Sequence, residues 1–237
     1  MDINGFLEKI KNGLLTGEED LVPLYFEYEE PEINRGEILR YAGIPAAILR
    51  ARGEGKKDES YIEIPTDEEL AKRLDDVVKL TKGELTFRIS CCCAKVERDK
   101  EGYPVLPFEQ HSDDLKRNLR ESEGVIILAA TIGAGIDRLI RRYERTEPAT
   151  GLLLQGIGAE RVETLVDTFN EEVSRCAQKL GLKALPRYSP GYGDLAITVQ
   201  PALLRLVDAE RRLGITLSAS YLMSPSKSVT AIIGISK

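Results

Sequence analysis

One histidine, no tryptophan and two methionines occur among the 237 residues. Several signatures of catalysis are missing as well: there is no phosphate-binding G-x-x-x-x-G-K-[ST] loop, no H-E-x-x-H and no G-x-S-x-G. Positive charge is in deficit, with 33 Lys and Arg against 39 Asp and Glu for a formal charge of −6, and no extended basic run is present. The electrostatic footprint of a nucleic-acid binder is therefore absent. No apolar run approaches the roughly 20 residues of a membrane-spanning helix, and the start "MDINGFLEKIKNG" lacks the cationic and apolar regions of a signal peptide. These absences predict a cytoplasmic protein with no membrane partner. Cysteine is sparse, and three of the four are the adjacent Cys91, Cys92 and Cys93. That arrangement matches neither a secreted disulfide framework nor a zinc motif, so no metal site is expected.

What is there reads as an ordinary globular chain, 42% hydrophobic and 30% charged, long enough for one large domain or two small ones. "LTFRISCCCAKV" alternates as a strand does, placing Leu85, Phe87, Ile89, Cys91 and Cys93 on one face and Cys92 on the other. Reduced cysteine packs as a small hydrophobe, so packing on the inner face is expected. Residues 1–34 are expected to form an amino-terminal arm: an amphipathic helix with Phe6, Ile10 and Leu14, then the acidic "YFEYEEPEI". "NRGEILRYAGI" reads as a short helix and "ESYIEI" as a short strand. "TDEELAKRLDDVVKLTKG" reads as a helix with a capping box from Thr66 and Glu69, a face of Leu70, Leu74, Val77 and Val78, and terminal Gly83. A polar turn around "RDKEGYP" precedes a further helix starting at the cap Ser112, next to the lone His111, which is expected at the surface.

Two stretches, "GVIILAATIGAGIDRLIRRYER" and "GLLLQGIGAERVETLVDTFNEEVSRCAQKL", each read as an apolar strand running through glycines into a helix. That pattern invites a dinucleotide-binding or Rossmann-type methyltransferase reading. The spacing argues against it, because the third glycine position of G-x-G-x-x-G is occupied by Arg138 in the first and Arg161 in the second. Tight turns and close helix packing explain these glycines better. The helix after "GIG" carries a core stripe from Val162 to Leu180, with Glu163 about a quarter turn from its centre. "QPALLRLVDAERRLGI" reads as one helix with Pro201 in its first turn and Gly214 at its end. "TLSASYLM", a turn "SPSKS" and "VTAIIGI" together read as an antiparallel hairpin.

The densest chemistry lies in "PRYSPGYGDLA", residues 186–196. Pro186 and Pro190 restrict the backbone, while Gly191 and Gly193 permit turns and expose amides to a ligand. Arg187 offers a planar fork of donors for a carboxylate or phosphate, and Tyr188 and Tyr192 offer flat faces. Such a loop suits either a zwitterionic, nucleotide-like molecule or a rigid turn with an internal ion pair.

Arg187 to Tyr192 fills R-x-x-x-G-Y, which resembles the S-adenosylmethionine-binding motif in the activation domain of cobalamin-dependent methionine synthase. "LLRLVDAERRLGITLSASYLMSPSKSVTAIIGIS", "SDDLKRNLRESEGVIILAATIG" and "AERVETLVD" extend the resemblance, in its stand-alone form, over residues 35–237. The resemblance implies a single α+β domain with a twisted, mainly antiparallel sheet flanked by helices. It also implies that S-adenosylmethionine binds in a shallow groove, through Arg187 to the methionyl carboxylate, with Gly191, Tyr192 and the backbone of Asp194 on the nucleoside, and Glu163 as a further contact. The implied function is reactivation: an electron donor such as flavodoxin or ferredoxin reduces cob(II)alamin, and S-adenosylmethionine supplies the methyl that restores methylcobalamin. No D-x-H-x-x-G occurs here, so the cobalamin is expected on a partner, a methionine synthase or related corrinoid protein. The alternative is a docking or regulatory partner that no longer binds the sulfonium. The turn departs from the family's Gly-Tyr-Pro-Ala, since Gly193 and Asp194 follow Tyr192.

Overall fold

The computed structural model describes residues 3–15, 21–44 and 67–237. Thr66 of the expected capping box and the expected strand "ESYIEI" lie outside them. The chain divides into two compact units, one of Met1–Pro31, Thr86–Gly133 and Val162–Lys237, the other of Glu32–Leu85 and Ala134–Arg161.

The first unit is built on a five-stranded sheet in which every neighbouring pair is antiparallel. In chain order its strands are β1 (Leu24–Tyr28), β2 (Phe87–Lys95), β5 (Ser122–Thr131), β6 (Lys183–Ala184) and β9 (Ser228–Ser236), arranged β1-β2-β5-β9-β6. Two short pairs lie outside it: β3 (Glu97–Arg98) with β4 (Pro104–Val105), and β7 (Thr216–Leu217) with β8 (Met223–Ser224). With no parallel pair in the sheet among the described residues, the structure does not support the Rossmann reading.

The three central strands are buried on both faces, which is why their sequences run almost continuously apolar. One face, with Cys92, Val125, Ile127 and Ala129, packs on the helices α7 (Gln200–Leu206) and α8 (Ala209–Leu213) through Leu203, Val207 and Leu213. α1 (Ile3–Asn12) also lies on the sheet: a Cβ on Gly124 would stand 2.9 Å from both Phe6 and Ile10, so only glycine admits those side chains. The segment expected as an arm thus supplies this helix and the edge strand β1. Phe26 of β1 meets Phe169 of the long helix edge to face, ring centroids 5.8 Å apart. Burying a ring of this size contributes about 3 kcal/mol.

Three expectations need correction. "GLLLQG" is not a strand, because α6 (Pro148–Lys179) is one continuous 32-residue helix. Its opening is apolar because Leu153, Leu154 and Ile157 are buried in the second unit, where a Cβ on Gly156 would come within 2.5 Å of the Ile38 carbonyl oxygen. "QPALLRLVDAERRLGI" is two helices, broken at Asp208, whose φ of 51° is left-handed. The hairpin is formed within "TLSASYLM" itself, as β7 and β8, whereas "VTAIIGI" belongs to β9 between β5 and β6.

In the second unit, α2 (Arg35–Tyr41) is capped by Asn34, whose side chain accepts from the Glu37 amide. α3 (Asp67–Leu80) buries Leu70, Leu74 and Val77. α5 (Gly135–Thr146) starts where a Cβ would overlap the Glu84 carbonyl, so Gly135 serves close packing as its spacing suggested. Arg161 and Glu160 are both fully buried and pair through Nε at 2.5 Å and Nη2 at 2.7 Å. Nη2 also donates to the Glu32 carbonyl, and Glu160 accepts from the Asn34 amide.

Candidate functional site

The loop that follows β6 does not leave the sheet at once. Leu185 donates its amide to the Gly234 carbonyl at 2.8 Å, and Tyr188 exchanges both backbone hydrogen bonds with Ile232, each at 2.8 Å. Arg187 sits between these anchor points. The chain then turns sharply, with Gly191 at φ 89° donating to the Leu195 carbonyl and Tyr192 donating to Ser189. Gly193, at φ 52°, is the tightest point. A Cβ there would lie 2.0 Å from Asp114 Oδ2 and 2.4 Å from the Tyr188 hydroxyl.

Arg187 reaches to α6. Its Nη2 donates to Glu163 Oε2 at 2.7 Å and its Nη1 to Asp167 Oδ1. The two carboxylates are four residues apart and therefore neighbours on one helix face. Burial works against the guanidinium's charge, but the hydrogen bonds and charges of Asp167 and Glu163 outweigh it and hold its pKa above the ordinary value. The side chain stays 25% exposed, and an open groove of about 990 Å³ lies beside it. Glu163, Tyr188, Tyr192, Ile197 and Gln200 line that groove together with Arg187, and Ser228, Val229 and Thr230 of β9 also line it.

Of the residues expected to bind, the structure brings Glu163, Arg187 and Tyr192 to one groove, with Tyr192 69% exposed. Gly191 shapes the turn without lining the groove. Asp194 stands elsewhere. Its carboxylate accepts from the Ser112 hydroxyl, the Asp113 amide at 2.7 Å and the Asp114 amide at 3.2 Å, at the amino end of α4 (Asp113–Asn118). The Ser112 hydrogen bond leads in holding its pKa below the usual carboxylate range, opposed by burial and supported by those amides. The Asp194 amide itself donates to Asp114 Oδ2 at 3.2 Å. Ser112 also caps α4 by accepting from Leu115, as its position suggested.

Sequence reasoning missed three contributors. Asp167 lies one turn beyond Glu163, and the i, i+4 rule applied to Glu163 would have found it. Asn170 and Gln200 line the same groove, and Asn170 Oδ1 and Gln200 Oε1 are buried without a hydrogen-bond partner. No local signal marks them, since each sits in a helix as an unremarked amide.

The arrangement is suited to holding a molecule that carries a carboxylate. A guanidinium carries five N–H donors in a fork that fits a carboxylate. Among the described residues no group of three or more His, Cys, Asp or Glu could hold a metal, and no helix is long and apolar enough to cross a membrane. Cys91 and Cys92 are buried, which raises both pKa values, that of Cys92 to about 12, so neither is a ready nucleophile. His111 is exposed and stacks on Tyr103, ring centroids 4.1 Å apart.

Fold and groove together define an α+β protein, an antiparallel sheet flanked by helices, with an open cleft on one sheet edge. No family model matches the sequence, and no curated protein is significantly similar to it. Among solved structures the chain is similar to the crystal structure of the MetH reactivation domain bound to AdoHcy, with a TM-score of 0.57 at 15% identity over 92% of this chain and 79% of that one. At that identity the likeness shows the fold.

Proposed function

We propose that this chain binds S-adenosylmethionine in the groove beside Arg187 and supports the reductive methylation of a cobalamin carried by a separate methionine synthase or corrinoid protein. One observation carries the reading. The R-x-x-x-G-Y segment lines a ligand-sized groove on a fold shared with a domain that was crystallised with the demethylated form of that donor.

The residues present fit such a ligand. Arg187 meets its carboxylate, Glu163 its ammonium, and the exposed ring of Tyr192 its nucleoside. The donor's sulfonium and the carrier's reduced cobalt supply the chemistry; an electron from a flavodoxin- or ferredoxin-like donor precedes it. This chain contributes position, because in-line transfer needs the methyl aimed out of the groove toward a docked partner. An open groove suits that requirement better than a closed pocket.

The engagement of Arg187 by two carboxylates favours a second reading, in which the chain docks on a corrinoid protein without binding the donor. Isothermal titration with S-adenosylmethionine and with S-adenosylhomocysteine separates the two. Saturable binding that falls at least about tenfold in Arg187→Ala supports the first, since a charge-assisted hydrogen bond is typically worth about 1.5–3 kcal/mol. Absence of binding in the unaltered protein selects the second.

A further inference from the structure

The ionic end of the groove holds more negative charge than positive. Arg187 supplies one cation, while Glu163 and Asp167, bound to its Nη2 and Nη1, supply two anions. The two carboxylates stand one turn apart on α6, about 6 Å along its axis. Among the described residues Lys183 is the other cation on the groove wall. It lies four residues before Arg187 along the sheet edge, about 13 Å away, beyond the roughly 8 Å over which exposed charges act in physiological salt. The Arg187 cluster therefore keeps one negative charge in excess.

The adenosyl reading above, on which this inference rests, says what that excess charge meets. The amino-acid end of the ligand is a zwitterion, whose carboxylate answers Arg187 and whose ammonium answers Glu163. Asp167 is left over. The one remaining charge on the donor is its sulfonium, and only four bonds join that sulfur to the carboxylate carbon, so it lies within about 5 Å of the group that Arg187 holds. Loss of the methyl group leaves an uncharged thioether. The donor is thus matched charge for charge, whereas its product leaves one anion unmatched.

We infer that Asp167 is a specificity-determining residue that makes the groove favour the cationic sulfonium donor over its neutral thioether product. It acts by charge at a distance, with no contact to the transferred methyl group. Its side chain is 57% exposed, so water screens the effect and the preference is roughly three- to tenfold rather than absolute. The same charge speeds the exchange of spent ligand for fresh donor, because the product is the weaker guest.

The test titrates four compounds against the full chain. S-adenosylmethionine and sinefungin, in which an amine-bearing carbon replaces the methylated sulfur, are cationic there; S-adenosylhomocysteine and its sulfoxide are not. In about 50 mM salt the unaltered protein is expected to bind each cationic compound three- to tenfold more tightly than the neutral pair, and in about 1 M salt less than about twofold more tightly. In Asp167→Asn the low-salt preference is expected to fall below about twofold, while Asp167→Glu retains it. All four compounds carry the same carboxylate, so relief of competition at Arg187 strengthens them together and leaves the ratio to report charge alone. If Asp167→Asn does not fold, the salt series on the unaltered protein serves in its place, and a preference that persists undiminished in about 1 M salt counts against the inference. Should none of the four bind, the adenosyl reading falls and this inference with it. Should they bind without preference for the cations, should sinefungin side with the neutral pair, or should the preference survive in Asp167→Asn, the Asp167 assignment alone is overturned.

Discussion

Arg187 and Glu163, 24 residues apart in the chain, meet at 2.7 Å and join the loop after β6 to the long helix. Asp167 holds the other arm of the same guanidinium, but its side chain is 57% exposed against 34% for Glu163. The two carboxylates therefore differ in what they do. Glu163 fixes the fork in place, whereas Asp167 competes for a nitrogen that a ligand carboxylate would use.

Asp167→Asn is accordingly expected to raise the affinity for S-adenosylhomocysteine by roughly two- to tenfold and to change stability by less than about 1 kcal/mol, because exposed ion pairs contribute little. Glu163→Gln is expected to lower it. Titration of both variants alongside denaturant midpoints checks the asymmetry.

Gly193 and Gly181 both have positive φ, 52° and 76°, yet only Gly193 is sterically enclosed. Alanine at 181 meets nothing within 4 Å and is expected to cost about 1–2 kcal/mol from backbone conformation alone. Alanine at 193 must also displace Asp114 and Tyr188, for a total of about 2–4 kcal/mol. Chemical denaturation of the two variants measures the difference.

Arg161→Met removes one member of a fully buried pair and leaves the buried Glu160 carboxylate without its cation, though still accepting from the Asn34 amide. A loss of about 3–5 kcal/mol is expected. Adding Glu160→Gln should recover part of it, and a double-mutant cycle on thermal or urea unfolding measures the coupling.

Asp194 titrates below the usual carboxylate range in the folded chain, so it contributes stability above the unfolded value of about 3.9 that is lost as pH falls through the folded one. Asp194→Asn should therefore be less stable than the unaltered protein near neutral pH, and the gap should narrow as the pH falls below the ordinary carboxylate range. Urea midpoints across that range give the curve directly.

Thiol reactivity offers a separate check. Cys91, Cys92 and Cys93 are buried and Cys176 is half-buried, so a polar thiol reagent should modify only Cys176 in the native state and all four cysteines in denaturant.

Strand β2 was legible in the sequence because "FRISCCCAK" alternates, with Phe87, Ile89, Cys91 and Cys93 on one face, and α4 because Ser112 is a cap with two acidic residues behind it. The opening of α6 was not. A short apolar run such as Leu152 to Leu154 fits a buried strand as well as a buried helix turn, and only the approach of Gly156 to the Ile38 carbonyl decides between them. The break at Asp208 was equally hidden, since Leu203, Leu204 and Val207 fit helical spacing up to it and Leu213 after it. At the site, Arg187 and Tyr192 stood out through a local motif, and Glu163 through its place beside the core stripe. Gln200 carries no local mark, because what distinguishes it is an unmet hydrogen bond, a property of the folded surroundings.

The backbone pairings that flank Arg187 give the loop an unusual economy of motion. With Leu185 bound to Gly234 and Tyr188 bound twice to Ile232, the arginine's Cα is as fixed as a residue within a strand, so a guest molecule need only reorient a side chain. Under the proposed reading, little chain freedom would remain to be surrendered on capture, and one guest would exchange for another without the loop unfastening from the sheet.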